Sequence, residues 1–539
     1  MHLAAKTRNH RHQGRPALPI AAAGLRALLP ALLLLHASQA LYPERTTKDP
    51  VFWSDYYVIA AGSPAEMSAA LREYHIPLSE LRRVGKTGQD TVYRLPARYQ
   101  GVLEQSPLEI LTDPPFRYID PDLPKRLESG QLQQVMRGYK NHAAIRAVLQ
   151  GLHERFPDDT RIIPIGQSVE GRPIEALRIG RQPANNLDQP AFLFNCGHHG
   201  NEVLAAEYCT DLAWTLLYGK GPYRNDEIPF LEQIRHYWQA QQNRVGTVHY
   251  RSSELQQWLD SYSIWIVPIV NPDGLEHLWR DHVWAGRKNA RDTVAPAGWQ
   301  PADGVDLNRN YPFYWNSGVV NASSDRPGHH WYRGPAPASE PETRAMMQLA
   351  ERERFVVVFS YHTYATKILT PYTIPGSISP SPNPSWFFAE ELVKVMESHR
   401  TERQYITQRN LYPVDGTDQD WHFFKNGSLA YIVEGSWHNP RYEPEARLSV
   451  QGMRPAALRA LQLYTEGPVI VVHTADQNGQ VLGAVHVRLA ETVFHEQERY
   501  TTHPGTGRFD FVLETGGRYT IIAEKDGYQQ LSRTLDCRQ

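Results

Sequence analysis

Phe192-Leu193-Phe194-Asn195-Cys196-Gly197-His198-His199-Gly200-Asn201-Glu202 is the stretch around which the rest of the chain is organised. An apolar run closes at a glycine. His199 and Glu202 follow with two residues between them, and Leu204, Tyr208, Leu212 and Leu216 then recur every four residues, the core face of a helix. Strand, turn and helix in that order put two metal-capable side chains beyond the carboxyl end of a buried strand. Imidazole nitrogen and carboxylate oxygen both suit zinc, and a catalytic zinc site takes three protein ligands and keeps a fourth position open. His-x-x-Glu by itself is a common chance pattern in a chain with 23 histidines, so the weight rests on what accompanies it.

A chain of 539 residues calls for two or three domains. With 41% hydrophobic and 21% charged residues it can build packed cores. A net charge of −2 offers no excess of one sign for nucleic acid or an acidic membrane surface. Lys6, Arg8, Arg11 and Arg15, an apolar region densest from Ala27 to Leu35, and Ser38-Gln39-Ala40 read as a secretory signal peptide over residues 1–40. Arg26 and Pro30 interrupt the run, which falls short of the roughly 20 residues a spanning helix needs. The expectation is a secreted or periplasmic protein with no membrane span after signal removal. Cys196, Cys209 and Cys537 are the only cysteines, and an odd count leaves one unpaired. Cys196 and Cys209 are expected as buried thiols rather than a bridge.

Residues 41–137 read as a small α/β domain of unassigned role. It has strands at Tyr56–Ala60 and Thr91–Leu95, a helix over Pro64–Tyr74 with Met67, Ala70 and Leu71 on one face, and a linker marked by Pro114, Pro115, Pro121 and Pro124. Residues 138–465 alternate strand and helix patterns. Phe192–Asn195, Ile264–Val270 and Phe355–Phe359 are nearly continuous apolar runs, as in strands buried on both faces. The fold class is therefore α/β, a mixed, largely parallel central sheet flanked by helices, whose ligands sit beyond the strands' carboxyl ends. Residues 466–539 carry short strands at Val469–Val472, Ala484–Val487, Phe509–Val512 and Tyr519–Ile522 with glycines between them, a small all-β sandwich.

Four further clusters stand in the middle region. Asn271-Pro272-Asp273-Gly274 reads as a structural turn. Arg287-Lys288-Asn289 and Gly304-Val305-Asp306-Leu307-Asn308-Arg309-Asn310 bring two guanidinium groups and an amide that could bind a carboxylate. His362 ends one buried strand and Glu434 another, beyond Asp420-Trp421. A carboxylate at a buried strand end is costly unless it is beside a metal, paired or working.

From about Tyr139 to Tyr464 these pieces, in order, resemble the zinc carboxypeptidase family. Gly166–Pro173, His199–Glu202, Asn271–Gly274, Gly304–Asn310, Tyr332-Arg333-Gly334-Pro335, Ser339–Glu342, His362, Asp420-Trp421 and Glu434 all carry the resemblance. The sandwich resembles the transthyretin-like domain that follows the catalytic domain in some of these enzymes. The resemblance implies that His199, Glu202 and His362 hold one zinc ion (Zn2+) per chain, the two-His, one-Glu set that carboxypeptidase A uses. His198 is then a neighbour in the loop. Glu434 would be the general base, Arg287 the oxyanion partner, and Asn308 with Arg309 the clamp for a terminal carboxylate. Tyr412 would close over the substrate. The substrate would be the C-terminal residue of a peptide or protein. Gln419, Thr373, Val414, Thr417 and Ile432 would line the pocket for its side chain; none is charged, so a neutral terminal residue is expected, with Asp415 and Asp418 nearby in the same loop. The alternatives are a zinc amidase acting on cell-wall stem peptides or N-acyl amino acids, and a non-catalytic peptide-binding relative. All the candidate site residues precede the sandwich, which is expected to be dispensable for chemistry.

Overall fold

The computed structural model describes residues 2–8, 57–110 and 122–537, apart from 182–187, 223–251, 280–285, 295–297, 399–403 and scattered short gaps in loops. The chain divides into two compact units, residues 10–115, and residues 1–9 with 116–539.

The larger unit is built on an eight-stranded sheet. Its strands are β1 (Thr160–Gln167), β2 (Pro173–Ile179), β3 (Ala191–Cys196), β4 (Ser263–Val267), β5 (Val357–Thr363), β6 (Lys367–Leu369), β7 (Ile406–Gln408) and β8 (Leu429–Gly435). They lie in the order β7-β6-β8-β5-β3-β4-β2-β1. The middle pairs β8–β5, β5–β3 and β3–β4 are parallel, while β6–β8, β4–β2 and β2–β1 are antiparallel. Every residue of β3, β4 and β5 is buried, in keeping with their nearly continuous apolar runs, because helices cover both faces. Among these helices are His142–Arg155, Val203–Tyr218, Pro341–Glu353 and Arg447–Glu466. The two halves of the core lie on opposite faces of the sheet, with Phe192, Phe194 and Phe359 on one side and Leu193, Trp265 and Val358 on the other. Among the described residues no helix is long and apolar enough to cross a membrane.

Two expectations are corrected. Cys196 and Cys209 are joined in a disulfide, with Cα atoms 6.3 Å apart. The last residue of β3 faces the second turn of helix Val203–Tyr218, which packs back onto that strand, and the bridge closes the loop that carries His199 and Glu202. Asn271-Pro272-Asp273-Gly274 is a helix start rather than a turn: Pro272 opens helix Pro272–Trp279, and Asn271 Oδ1 accepts from Gly274 N at 2.8 Å. Asp273 in turn accepts from Ser168 Oγ at 2.6 Å, Glu170 N at 2.9 Å and Arg172 at 2.6 Å, which clasps the 166–173 motif. Gly200 lies so close to this helix start that a Cβ there would stand 2.2 Å from Leu275 N.

In the smaller unit, strands Arg82–Thr87, Asp90–Pro96, Tyr57–Gly62 and Glu109–Ile110 pair antiparallel in that order. Helix Pro64–Glu73, whose Ser63 and Glu66 form a capping box, lays Met67 and Ala70 in a core with Val58, Ala60 and Leu95. The proline-marked linker falls largely outside the described residues.

The C-terminal region forms two three-stranded sheets around one core that includes Ile470, Val472, Val487 and Ile521. One sheet holds Val469–Ala475 and Arg508–Val512, and the other His486–Leu489, Arg518–Glu524 and Leu531–Asp536. His2–Arg8 adds to the first sheet beside Val469–Ala475. The apolar run and the Ala40 site of the expected signal peptide lie outside the described residues.

Candidate functional site

The site sits where β3, β5 and β8 end together. The turn after β3 carries His199 and Glu202, β5 carries His362, and the parallel register sets His362 beside Glu434 of β8. His199 Nδ1 lies 2.8 Å from Glu202 Oε1, and His362 Nδ1 lies 3.0 Å from Glu202 Oε2. One ligand atom from each of the three residues lies within 4.8 Å of the others, and all three residues are buried. His199 Nε2 stands 3.1 Å from Asp306 Oδ1. Two buried imidazole nitrogens and one buried carboxylate are the donor set that a zinc ion takes.

Electrostatics agree with the geometry. Burial alone would raise the Glu202 carboxyl, but His199 and His362 hold it well below the usual carboxylate range. Asp306 is likewise buried yet held well below that range by Arg287, His199 and Arg309. Arg287 donates to Asp306 Oδ2 from Nε at 3.1 Å and from Nη2 at 2.7 Å, and its Nη1 lies 3.2 Å from His199 Nδ1 and 3.8 Å from Glu202 Oε1. The Glu434 carboxyl is pushed up to about 8, by burial first and the Glu202 charge second, against a downward pull from Arg287. As a residue Glu434 is only half-buried, but its Oε2 is sealed and has no hydrogen-bond partner among the described residues.

The neighbouring candidates are placed unevenly. Asn308 is buried, and its Oδ1 accepts from Asp418 N at 2.9 Å. Arg309 is buried, donates to the carbonyls of Ala322 and Asn308, and pairs with no carboxylate among the described residues. Gln419 is fully buried, with Nε2 donating to Thr373 Oγ1 at 3.3 Å and Oε1 without a hydrogen-bond partner among the described residues. Tyr412 stands apart from the cluster: it is 44% exposed and stacks on Trp331 with ring centroids 5.8 Å apart. Of the two nearby acids, Asp415 accepts from Ser317 N and Oγ. Asp418 turns inward, its Oδ2 3.9 Å from His198 Nε2. His198 itself is fully buried beneath the loop, bonded to Tyr311 OH at 2.9 Å and pushed down to about 4 by burial.

Asp306 is the functional residue that sequence reasoning passed over. It stood inside the 304–310 motif between two apolar residues, Val305 and Leu307, and no local signal marks it as buried, since a polar residue between apolar neighbours reads as outward-facing. One carboxylate here orients both the His199 ring and the Arg287 guanidinium. Asp306→Asn is expected to weaken metal binding by roughly 10- to 100-fold. Titration against a chelator of known affinity measures it, and an unchanged metal dissociation constant removes the orienting role.

A mixed sheet thus carries at its strand ends two imidazoles and one carboxylate, a donor set of the two-His, one-Glu type. The chain belongs to the zinc carboxypeptidase family, whose model matches residues 145–440. Mast cell carboxypeptidase A of Homo sapiens is 26% identical over 295 residues, which cover 52% of this chain and 59% of that protein. An inactive metallocarboxypeptidase, ECM14, of Ajellomyces dermatitidis is 28% identical over 260 residues, covering 47% of this chain but only 38% of its own. The fold is also that of the crystal structure of thrombin activatable fibrinolysis inhibitor, with a TM-score of 0.51 at 19% identity over 76% of this chain and 98% of that one.

Proposed function

We propose that the chain is a zinc-dependent metallocarboxypeptidase that hydrolyses the C-terminal peptide bond of peptides or proteins. The observation that carries this reading is the convergence of His199, Glu202 and His362, with Glu434 on the adjoining strand and outside the ligand set. Relatives named inactive and relatives named carboxypeptidases both match, so activity is argued from this chain's own residues. When bound, zinc polarises the peptide carbonyl and a water. Glu434 takes the proton of the attacking water and passes it to the leaving amine nitrogen. Arg287, held by Asp306, offers Nη1 to the oxygen that becomes negative as the carbonyl carbon turns tetrahedral. Arg309 and the Asn308 amide bind the terminal carboxylate, which fixes the scissile bond one residue from the end. Tyr412 swings from Trp331 to cover the bound residue.

The terminal side chain enters beside Gln419 and Thr373, with Val414, Thr417 and Ile432 around it. Asp415 accepts from Ser317, and Asp418 Oδ2 lies 3.9 Å from His198, so no acid is among the residues that line the pocket on this reading. A Lys or Arg side chain would lose hydration without gaining an ion pair. Neutral terminal residues, apolar or aromatic first, are therefore expected to give the highest kcat/KM. Blocked dipeptides ending in Phe, Leu, Glu, Lys and Arg, assayed with and without zinc, test the reading. No metal-dependent hydrolysis of any of them sinks the activity, and a best rate with Lys or Arg sinks the pocket assignment and implicates Asp418. The buried Cys196–Cys209 bridge suits an oxidising compartment and supports a secreted or periplasmic site of action. On the same reading residues 466–539 are a transthyretin-like domain.

A further inference from the structure

The C-terminal sandwich is hydrogen-bonded to the loop that follows β6. Its connection 490–500 lies along loop 371–382, between β6 and helix Pro384–Val393. Ser381 and Val493 exchange both backbone hydrogen bonds, at 3.1 and 2.8 Å. Glu496 accepts from Ile378 N at 2.7 Å and from Tyr314 OH at 2.6 Å. Glu498, only 4% exposed, accepts the Tyr372 hydroxyl proton through Oε1 at 2.8 Å and Glu496 N–H through Oε2 at 3.0 Å. Tyr372 is fully buried, stacked on Phe313 at 4.7 Å and edge-on to Phe423 at 5.3 Å. Burial, with Tyr500 and Glu498 beside it, raises its phenol far above the usual range, so it remains a neutral donor.

The contacts continue inward from Tyr372. Thr373 N donates to both oxygens of Asp420, at 3.0 and 2.9 Å, and Thr373 Oγ1 donates to Oδ2 at 2.8 Å. Asp420 belongs to the first turn of helix Asp418–Asn426, and the N–H that opens this turn, that of Asp418, bonds Asn308 Oδ1 at 2.9 Å. Thus Glu498 is joined to Asn308 by three hydrogen-bonded links, Glu498–Tyr372, Thr373–Asp420 and Asp418–Asn308, with one or two residues of chain between them. We infer that Glu498 of the sandwich is a positioning residue for the terminal-carboxylate end of the site, acting through Tyr372, Thr373 and the first turn of helix 418–426 on Asn308. This rests on the carboxypeptidase reading for what Asn308 binds. A charge-assisted bond between two buried groups holds position well, and deleting either partner leaves the other unsatisfied in a low-dielectric interior, where the segment relaxes to find a new partner. A small shift of a substrate-positioning residue is felt in binding and rate.

Three variants test it: Tyr372→Phe, Glu498→Ala and Glu498→Gln, each checked for zinc content and thermal midpoint. Tyr372→Phe and Glu498→Ala are expected to raise KM for blocked dipeptides roughly three- to tenfold while kcat changes less than about twofold. Glu498→Gln keeps an acceptor for the Tyr372 hydroxyl and is expected to recover most of that loss. Tyr372→Phe keeps the ring packed between Phe313 and Phe423, so it carries the test alone if Glu498→Ala fails to fold. The dissociation constant of an N-blocked dipeptide for the metal-free protein, read by calorimetry, is expected to weaken by the same factor. A wild-type chain that binds the dipeptide but hydrolyses none overturns the activity, and the binding measurement still decides the positioning role. Binding and KM for Tyr372→Phe within about twofold of wild type overturn that role.

Discussion

Glu434→Gln is expected to abolish hydrolysis while the metal stays bound. Glu434 sits beside His362 in the parallel register of β5 and β8, yet it is not among the three residues whose donor atoms converge. Its Oε2 is sealed from solvent without a hydrogen-bond partner among the described residues, an expensive arrangement for a group with only a structural role. Burial and the Glu202 charge raise its carboxyl, and a dication bound at Glu202 would reverse the second effect and favour the carboxylate that accepts a proton. An amide of the same shape accepts no proton. Loss of a general base removes on the order of 10²–10⁴ in rate, more where the residue also positions the water. The kcat of the purified variant and its metal content by atomic absorption decide the matter. Full activity, or zinc lost together with activity, would rule out this role.

His362→Ala is expected to cost both the metal and the activity. The remaining pair, His199 and Glu202, comes from one turn, whereas His362 arrives on a different strand and closes the site. Two ligands leave the cation with mostly water around it, so the loss of affinity should exceed the roughly 10- to 100-fold expected when an outer hydrogen-bond partner such as Asp306 is removed. Wild-type protein stripped with a chelator should lose activity and regain it on addition of zinc, and the His362→Ala protein should not regain it at the same zinc concentration. A variant that holds stoichiometric zinc after dialysis would show that His362 is not a ligand. The circular dichroism of both apo proteins separates this result from unfolding.

All the candidate site residues precede the sandwich, and Glu498 of the sandwich bonds Tyr372, next to Thr373, so a truncation near Glu466 strips a buried partner from the catalytic unit as well as removing a domain.

Much of the molecule was legible in the chain because its signals are local. The apolar runs of β3, β4 and β5 mark strands covered on both faces, and the four-residue recurrence after Glu202 marks the helix that follows. The strand Arg82–Thr87 escaped notice because two arginines, a glycine and a lysine give it no apolar period, and its bulge at Arg83 and Gly85 breaks what alternation there is. Leu531–Asp536 escaped for a similar reason, being an edge strand that is largely exposed. Residues drawn together from far apart were nameable only by resemblance. Tertiary structure alone decided that Asp306 serves both His199 and Arg287, that Cys196 meets Cys209, that Tyr412 rests outside on Trp331, and that Glu498 bonds Tyr372. The physical reason is that period and capping are written within a turn or two of chain. Which buried donor finds which acceptor depends on sheet register and helix packing, to which residues hundreds of positions apart contribute together.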